Sequence, residues 1–147
     1  MQKKLIYLTL VIGWMTSLQA WADTKLEAEN AKYSDCTVVS DKKYSGGEAL
    51  KLTEETAKIT FDVNVDKKGK YALFAAGDGI GGDKIVNCSV NGSSGQFHLD
   101  KYAEVEMGTF FLAEGQNKIV ITPNWTWFDI DYIRIASPQD EYTFDIA

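Results

Sequence analysis

Short runs of alternating apolar and polar residues fill the chain from residue 25 to residue 136. The clearest run covers residues 59–65, in which every second residue is apolar, the period of a half-buried strand. Lys67-Lys68-Gly69 then turns the chain into a second run at 71–76, so the two runs predict a β-hairpin. Further strands are predicted at 25–30, 36–39, 48–52, 84–90, 95–99, 103–112, 117–122 and 127–136.

The spacing of these runs indicates a single all-β domain. Turn signals such as Asn91-Gly92 separate the runs. From residue 23 onward, the chain shows no 3.6-residue apolar period, which would indicate a helix. About ten short strands in one domain length predict a two-sheet β-sandwich.

The first 22 residues have the pattern of a bacterial-type signal peptide. Lys3 and Lys4 form the positive region, residues 5–15 are mostly apolar, and Ala20-Trp21-Ala22 is a small-x-small cleavage site. The apolar stretch is shorter than the roughly 20 residues that a membrane-spanning helix needs. We therefore expect a secreted protein, extracellular or periplasmic, with no membrane span and a mature chain that starts at Asp23.

The net charge of the chain excludes two classes of binding partner. The formal net charge is −6, and removing the two leader lysines makes it −8. Nucleic acids and anionic membrane surfaces repel such a protein, so neither is an expected partner.

The mature chain has two cysteines, Cys36 and Cys88, which in an exported protein predict one disulfide. The alternative is two buried free thiols.

Three acidic residues suggest a cation site. Glu27 and Glu29 fall on the same face of the first predicted strand, and Asp131 shares a face of the last strand with Ile133 and Ile135. Like charges this close repel unless they are solvated or share a cation. Ca²⁺, which prefers oxygen ligands, would satisfy all three carboxylates. The alternative is two solvated acidic strand faces.

The segment Asn124-Trp125-Thr126-Trp127-Phe128-Asp129 suggests a sugar site. Aromatic rings stack on the C–H faces of sugars, and planar amides or carboxylates bind their paired hydroxyls. Strand alternation sends Trp127 and Phe128 in opposite directions, so at least one ring is predicted to fill the core. We interpret Trp127 as the packing residue and Trp125 as the exposed one, with Tyr44 as a further loop aromatic.

The sequence predicts a protein without a catalytic centre. Glu27 and Glu29 are too close along one strand to flank a scissile glycosidic bond, and His98 has no motif of a nucleophilic triad around it. The glycine-rich loop at 77–83 lacks the following helix of a phosphate-binding loop. It is interpreted as a sharp bend at the mouth of the sandwich.

Seven motifs in this order make the chain similar to carbohydrate-binding module family 35, with family 6 as a close relative. They are Leu26-Glu27-Ala28-Glu29, Tyr44-Ser45-Gly46-Gly47, the strand at 59–65, Gly69-Lys70-Tyr71-Ala72-Leu73, Val90-Asn91-Gly92, Glu114-Gly115-Gln116-Asn117-Lys118-Ile119 and Asp131-Tyr132-Ile133-Arg134-Ile135. The resemblance implies a jelly roll with a structural Ca²⁺ held by Glu27, Glu29 and Asp131. It also implies a sugar site in the loops at one end, with Trp125, and Trp127 or Phe128, as the aromatic platform and Asp129 as the polar residue before the last strand. The residues themselves add Tyr44 and Asn124 as candidate sugar contacts.

The ending from Trp125 to Tyr132 most resembles modules attached to β-mannanases of glycoside hydrolase family 26. This resemblance implies a non-catalytic module at residues 23–136 that binds β-mannan or galactomannan for an attached hydrolase. Residues 137–147 are then a linker or the start of a catalytic domain, and the module acts as a monomer within a larger enzyme. The open alternatives are a module for xylan or uronic-acid glycans, and a structural or adhesin-type sandwich.

Overall fold

Eleven β-strands make up almost all regular structure in the computed structural model, which describes residues 23–136. The leader predicted at 1–22 and the linker predicted at 137–147 lie outside these residues. The strands are β1 (Thr24–Glu27), β2 (Lys32–Ser34), β3 (Thr37–Ser40), β4 (Glu48–Leu52), β5 (Lys58–Val65), β6 (Gly69–Asp78), β7 (Lys84–Val90), β8 (Ser93–Leu99), β9 (Ala103–Leu112), β10 (Gly115–Pro123) and β11 (Phe128–Ile135).

The strands form two antiparallel sheets. The larger has the order β3-β4-β11-β6-β9, with β1 also pairing with β11, and the smaller has the order β2-β5-β10-β7-β8. The predicted all-β sandwich is therefore confirmed. Within residues 23–136, no helix is long and apolar enough to cross a membrane.

The core lies between the two sheets and follows the alternation seen in the sequence. In β5 the second, fourth and sixth residues are buried and their neighbours are not. Each large apolar side chain that is removed from water in this way stabilises the fold by about 1.5–3 kcal/mol. The fully buried side chains include Leu50, Leu73, Ile130 and Ile133 of the larger sheet and Ile59, Val86, Ile119 and Ile121 of the smaller.

The first predicted strand, 25–30, is shorter in the structure. It ends at Glu27, and a single 3-10 turn, Ala28–Asn30, follows. The turn is closed by a 3.0 Å hydrogen bond from Ala31 N to Ala28 O, and Ala28 is fully buried. The turn carries the chain from β1 in one sheet to β2 in the other, and β2 is a strand that the alternation pattern did not predict.

Strand β11 changes its partner halfway along one edge. It pairs with β4 up to Ile130 and with β1 from Tyr132 onward. Its register against β6 shifts between Ile130 and Tyr132, which marks a β-bulge at Asp131. The bulge resets the alternation, so Ile130 and Ile133 are both buried in the core although they are three residues apart.

The predicted disulfide is not formed, because Cys36 and Cys88 are both free. Cys88 lies on β7, and the register leads from Cys88 through Ile121 on β10 and Ile59 on β5 to Tyr33 on β2. Three strand spacings of about 4.8 Å separate the two ends of this row. Cys36 follows β2 by two residues, so it is too far from Cys88 for a bridge that needs Cα atoms within about 7 Å.

Candidate functional site

The loop between β10 and β11 carries two exposed tryptophans. Trp125 is 56% exposed and Trp127 is 57% exposed. Their backbones are nevertheless anchored, because Trp125 N donates to Ile85 O at 3.2 Å and Trp127 N donates to Leu52 O at 2.7 Å. Two broad apolar side chains are thus held at one end of the sandwich with more than half of their surface accessible.

Lys84 at the start of β7 ties this loop to its neighbour. Its Nζ donates to Trp127 O at 3.1 Å, to Ile80 O at 3.1 Å and to Gly79 O. Trp127 itself has the left-handed φ of 72°, a conformation that an L-residue with a large side chain rarely adopts. The lysine therefore fixes the peptide of Trp127 against the glycine-rich loop. The sequence offered no signal for this role.

The structure corrects the interpretation of two aromatic residues. Phe128 is fully buried in the core and so does not contact a ligand at the surface, although the expectation that at least one ring is buried is confirmed. Trp127, which we interpreted as the packing residue, is exposed because its left-handed backbone takes it out of strand alternation. The exposed pair is therefore Trp125 and Trp127.

Tyr44 and Asp129 were also predicted to contact the ligand, and both are buried. Tyr44 is 5% exposed and Asp129 is 4% exposed. The Tyr44 hydroxyl donates to Asp129 Oδ2, and Lys51 Nζ lies 3.1 Å from Asp129 Oδ1. Burial, and then the neighbouring Asp129, raises the pKa of Tyr44 far above its usual value, which keeps the hydroxyl a donor. Asp129 Oδ2 accepts from Tyr44, and Oδ1 is buried beside the Lys51 ammonium as an ion pair without a hydrogen bond. The buried carboxylate therefore supports the fold of the site instead.

Asn124 is exposed beside the tryptophan pair. Its backbone N donates to Ile85 O at 3.3 Å, and its side-chain Nδ2 lies 3.4 Å from Asn87 Oδ1. The position agrees with the prediction that an amide accompanies the rings. The side-chain amide of Asn124 is therefore a planar polar group next to Trp125 in the same loop.

Glu27, Glu29 and Asp131 come together on the larger sheet. One carboxylate oxygen from each lies within 4.8 Å of the other two. The predicted common strand face is not the reason, because Glu29 belongs to the 3-10 turn and Asp131 to the bulge. The end of β1, the turn after it and the bulge of β11 converge at the point where β11 changes partner.

Each of the three carboxylates keeps one buried oxygen without a hydrogen-bond partner, namely Glu27 Oε1, Glu29 Oε1 and Asp131 Oδ1. Burial raises the pKa of Glu29 and of Asp131 above their usual values, and the charge of Glu27 adds to both effects. Lys25 Nζ lies 3.8 Å from Glu27 Oε2 and balances the charge only in part. Buried acceptors without donors are costly, and they are the groups that a hard cation would use.

The segment Tyr44–Gly47 covers this cluster. Ser45 N donates to Asp131 Oδ2 at 2.9 Å, and Ser45 Oγ donates to Glu27 Oε2 at 2.6 Å. Tyr102 adds a 2.6 Å hydrogen bond to Asp131 Oδ2, and its ring meets that of Tyr44 edge-on at 5.6 Å. One segment therefore contacts both the acidic cluster and Asp129, which lies two residues before Asp131.

Comparison with known proteins gives a family for this arrangement. The family model described as carbohydrate binding module (family 35) matches residues 24–137. A mannan endo-1,4-beta-mannosidase of Thermothelomyces thermophilus is 33% identical over 127 residues, covering 81% of this chain and 26% of the relative. Mannan endo-1,4-beta-mannosidase B of Piromyces sp is 30% identical over 112 residues, covering 71% and 20%. The chain thus spans 26% and 20% of the length of these two curated relatives.

Solved structures agree with the fold. The Podospora anserina GH26-CBM35 beta-(1,4)-mannanase has a TM-score of 0.76 and 29% identity, with 82% of this chain and 28% of that chain covered. The exo-beta-1,3-galactanase of Phanerochaete chrysosporium, solved with beta-1,3-galactotriose, has a TM-score of 0.66 and 25% identity, with 78% of this chain and 29% of that chain covered.

Proposed function

Because the chain belongs to carbohydrate-binding module family 35, we propose that it binds β-mannan or galactomannan and holds an attached glycoside hydrolase near that polysaccharide. The observation that carries the proposal is the exposed pair Trp125 and Trp127 at one end of the sandwich. Sugar rings present C–H faces that stack on such rings. Both tryptophan backbones are hydrogen-bonded to neighbouring strands, so little ordering is needed on binding.

The choice of mannan among neutral polysaccharides is supported by the relatives. Both curated relatives are named mannan endo-1,4-beta-mannosidases, and the similar Podospora structure is that of a GH26-CBM35 mannanase. The net charge of −6 also disfavours glycans rich in uronic acids.

Affinity electrophoresis in gels that contain mannan, xylan or pectin tests this proposal. We expect the migration of the protein to be retarded by mannan and unchanged by pectin. Retardation in xylan or pectin without retardation in mannan would contradict the mannan assignment and favour the alternative polysaccharides. Unchanged migration in all three gels would favour a structural or adhesin-type sandwich.

We also propose that the module is not itself a catalyst. The carboxylates of Glu27, Glu29 and Asp131 converge on one point, whereas glycoside hydrolysis needs two carboxyl groups about 5 Å or more apart on either side of the bond. An assay of reducing sugar released from mannan and xylan tests this statement. Hydrolysis by the purified chain would contradict it.

A structural Ca²⁺ completes the proposal. Glu27, Glu29 and Asp131 would hold it through the three buried oxygens that lack donors, and carboxylate oxygens suit Ca²⁺ at about 2.3–2.6 Å. The ion would link the end of β1, the 3-10 turn and the bulge of β11.

Secretion through the leader predicted at residues 1–22 belongs to the same proposal, because a polysaccharide of this kind is found outside the cell.

A further inference from the structure

The outer face of the smaller sheet contains a groove that the tryptophan loop does not include. Its volume is about 700 Å³. The residues that line it come from β7, β8 and β10. Six of them have side chains on the outer face, namely Asn87, Ser89, Ser94, Gln96, Val120 and Thr122, and the other two are Gly95 and the buried Cys88.

The strand register brings these side chains into two rows. Asn87 stands opposite Gln96 on β8 and opposite Thr122 on β10. In the second row, Ser89 stands opposite Ser94 and Val120. Cys88, between them on β7, is buried, and β7 is paired with β8 and β10 along this stretch. The groove therefore lies on a fully paired part of the sheet.

The groove is uncharged in an acidic protein. Apart from the thiol of Cys88, its side chains are two amides, three hydroxyls and one valine, although 24% of the chain is charged. A charged or strongly apolar ligand would find no complement here. A ligand rich in hydroxyl groups would find both donors and acceptors.

The two amides are ordered and still have hydrogen-bonding capacity. Gln96 Nε2 donates to Asn87 Oδ1 at 2.9 Å, which orients both planar groups. Among residues 23–136, Asn87 Nδ2 and Gln96 Oε1 have no hydrogen bond to another group of the protein. This hydrogen-bonded pair of amides therefore retains one donor and one acceptor, and the hydroxyl groups of a sugar can pair with both.

The groove continues into the tryptophan loop. Asn124 Nδ2 lies 3.4 Å from Asn87 Oδ1, and Asn124 precedes Trp125 in the chain. The amide row Asn124-Asn87-Gln96 crosses two strand spacings, about 10 Å. A ligand stacked on Trp125 can therefore extend over this row without leaving the protein surface.

We propose that this outer-face groove is an extension of the tryptophan site that binds further neutral sugar residues of the same polysaccharide chain. The inference rests on the proposed function, because the ligand is the same. It predicts that affinity rises with oligosaccharide length, and that the gain depends on Asn87 and Gln96.

Calorimetry with mannotriose and mannohexaose tests the groove. We expect the double variant Asn87→Ala/Gln96→Ala to bind mannohexaose about 5- to 20-fold more weakly than the wild type, the effect of losing about two net hydrogen bonds. Its affinity for mannotriose, which occupies the tryptophans, should be nearly unchanged. The matched control is Asn64→Ala, which removes an exposed amide from the same sheet face on β5 and should alter neither affinity.

The outcomes separate the two proposals. Unchanged mannohexaose binding by the double variant, together with loss of binding in Trp125→Ala, would overturn the groove and leave the mannan function intact. A wild type that binds neither oligosaccharide would overturn both. If the double variant does not fold, Gln96→Ala at its exposed position replaces it, and a mannohexaose affinity equal to the wild type would again overturn the groove.

Discussion

Lys84 Nζ lies 3.1 Å from the carbonyl oxygen of Trp127 and donates a hydrogen bond to it. The two residues are 43 positions apart, and the same ammonium group also holds two carbonyls of the glycine-rich loop. The backbone position of an exposed tryptophan thus depends on a cation that binds its carbonyl oxygen. This arrangement preorganises the proposed sugar site.

Replacing this lysine should loosen the ring. We expect Lys84→Met to weaken mannohexaose binding about 5- to 10-fold and to lower the free energy of unfolding by about 1–2 kcal/mol, since three carbonyls lose a charged donor. Titration calorimetry and urea unfolding measure the two effects. Lys101→Met, at an exposed lysine of another loop, is the control. A Lys84→Met variant with wild-type affinity would show that the anchor does not position Trp127.

The two tryptophans should contribute to binding and not to stability. We expect Trp125→Ala and Trp127→Ala each to cost about 2 kcal/mol of binding free energy, roughly 30-fold in Kd. Their melting temperatures should stay close to that of the wild type, because both rings are more than half exposed. Phe111→Ala removes an aromatic ring that is 58% exposed on β9 and should leave binding intact. Equal losses in all three variants would point to a non-specific effect.

Calcium should stabilise the fold. At 100 times its dissociation constant a ligand adds about 2.7 kcal/mol to the free energy of unfolding, which for a domain of this size raises Tm by on the order of 10 °C. We expect a chelator to remove this gain and Glu29→Gln to abolish the response to calcium. Glu114→Gln, at an exposed acid outside the cluster, should respond like the wild type. A wild-type Tm that chelation leaves unchanged would contradict the calcium site.

One acidic group should make stability depend on pH. Arg134 Nη2 lies 2.6 Å from Glu104 Oε2, and this contact lowers the pKa of Glu104 below the usual value of 4.5. A lowered folded-state pKa means that the contribution is present above pH 4.5 and is lost as the pH falls towards the folded-state value. We expect Glu104→Gln to cost about 0.5–1 kcal/mol at pH 7 and much less at pH 3, as urea unfolding at both pH values would show. An equal cost at both values would contradict the ion pair.

The two cysteines should behave as free thiols. Burial raises the pKa of Cys88 to about 11, so its thiol stays protonated and unreactive in the folded protein. We expect two thiols to react with a colorimetric reagent in denaturant, and the protein to migrate alike on reducing and non-reducing gels. Absence of reactive thiols in the denatured protein would show that a disulfide has formed after all.

The alternation of apolar residues predicted most of the strands because it depends only on neighbours in the sequence. The run at 59–65 is β5 almost residue for residue. Residues that lie at irregular backbone could not be predicted in the same way. The exposure of Trp127 follows from a single left-handed φ, and the convergence of Glu29 and Asp131 follows from a 3-10 turn and a bulge.

Other features depend on contacts between distant parts of the chain. The hydrogen bond from Tyr44 to Asp129 joins residues 85 positions apart, so two residues that looked like ligand contacts are instead each other's partner. The separation of Cys36 and Cys88 follows from the order of strands in the smaller sheet, which the sequence pattern does not determine.

Thr24 on β1 pairs with Ile135 at the end of β11, so the chain enters and leaves this domain at neighbouring points. The tryptophan loop precedes the other end of the same eight-residue strand, about 24 Å away at the usual rise of a β-strand. Both ends of the domain thus lie at one end of the sandwich, and the rings of Trp125 and Trp127 lie at the opposite end. A protein joined at either end of the module would leave those rings free to reach a polysaccharide surface.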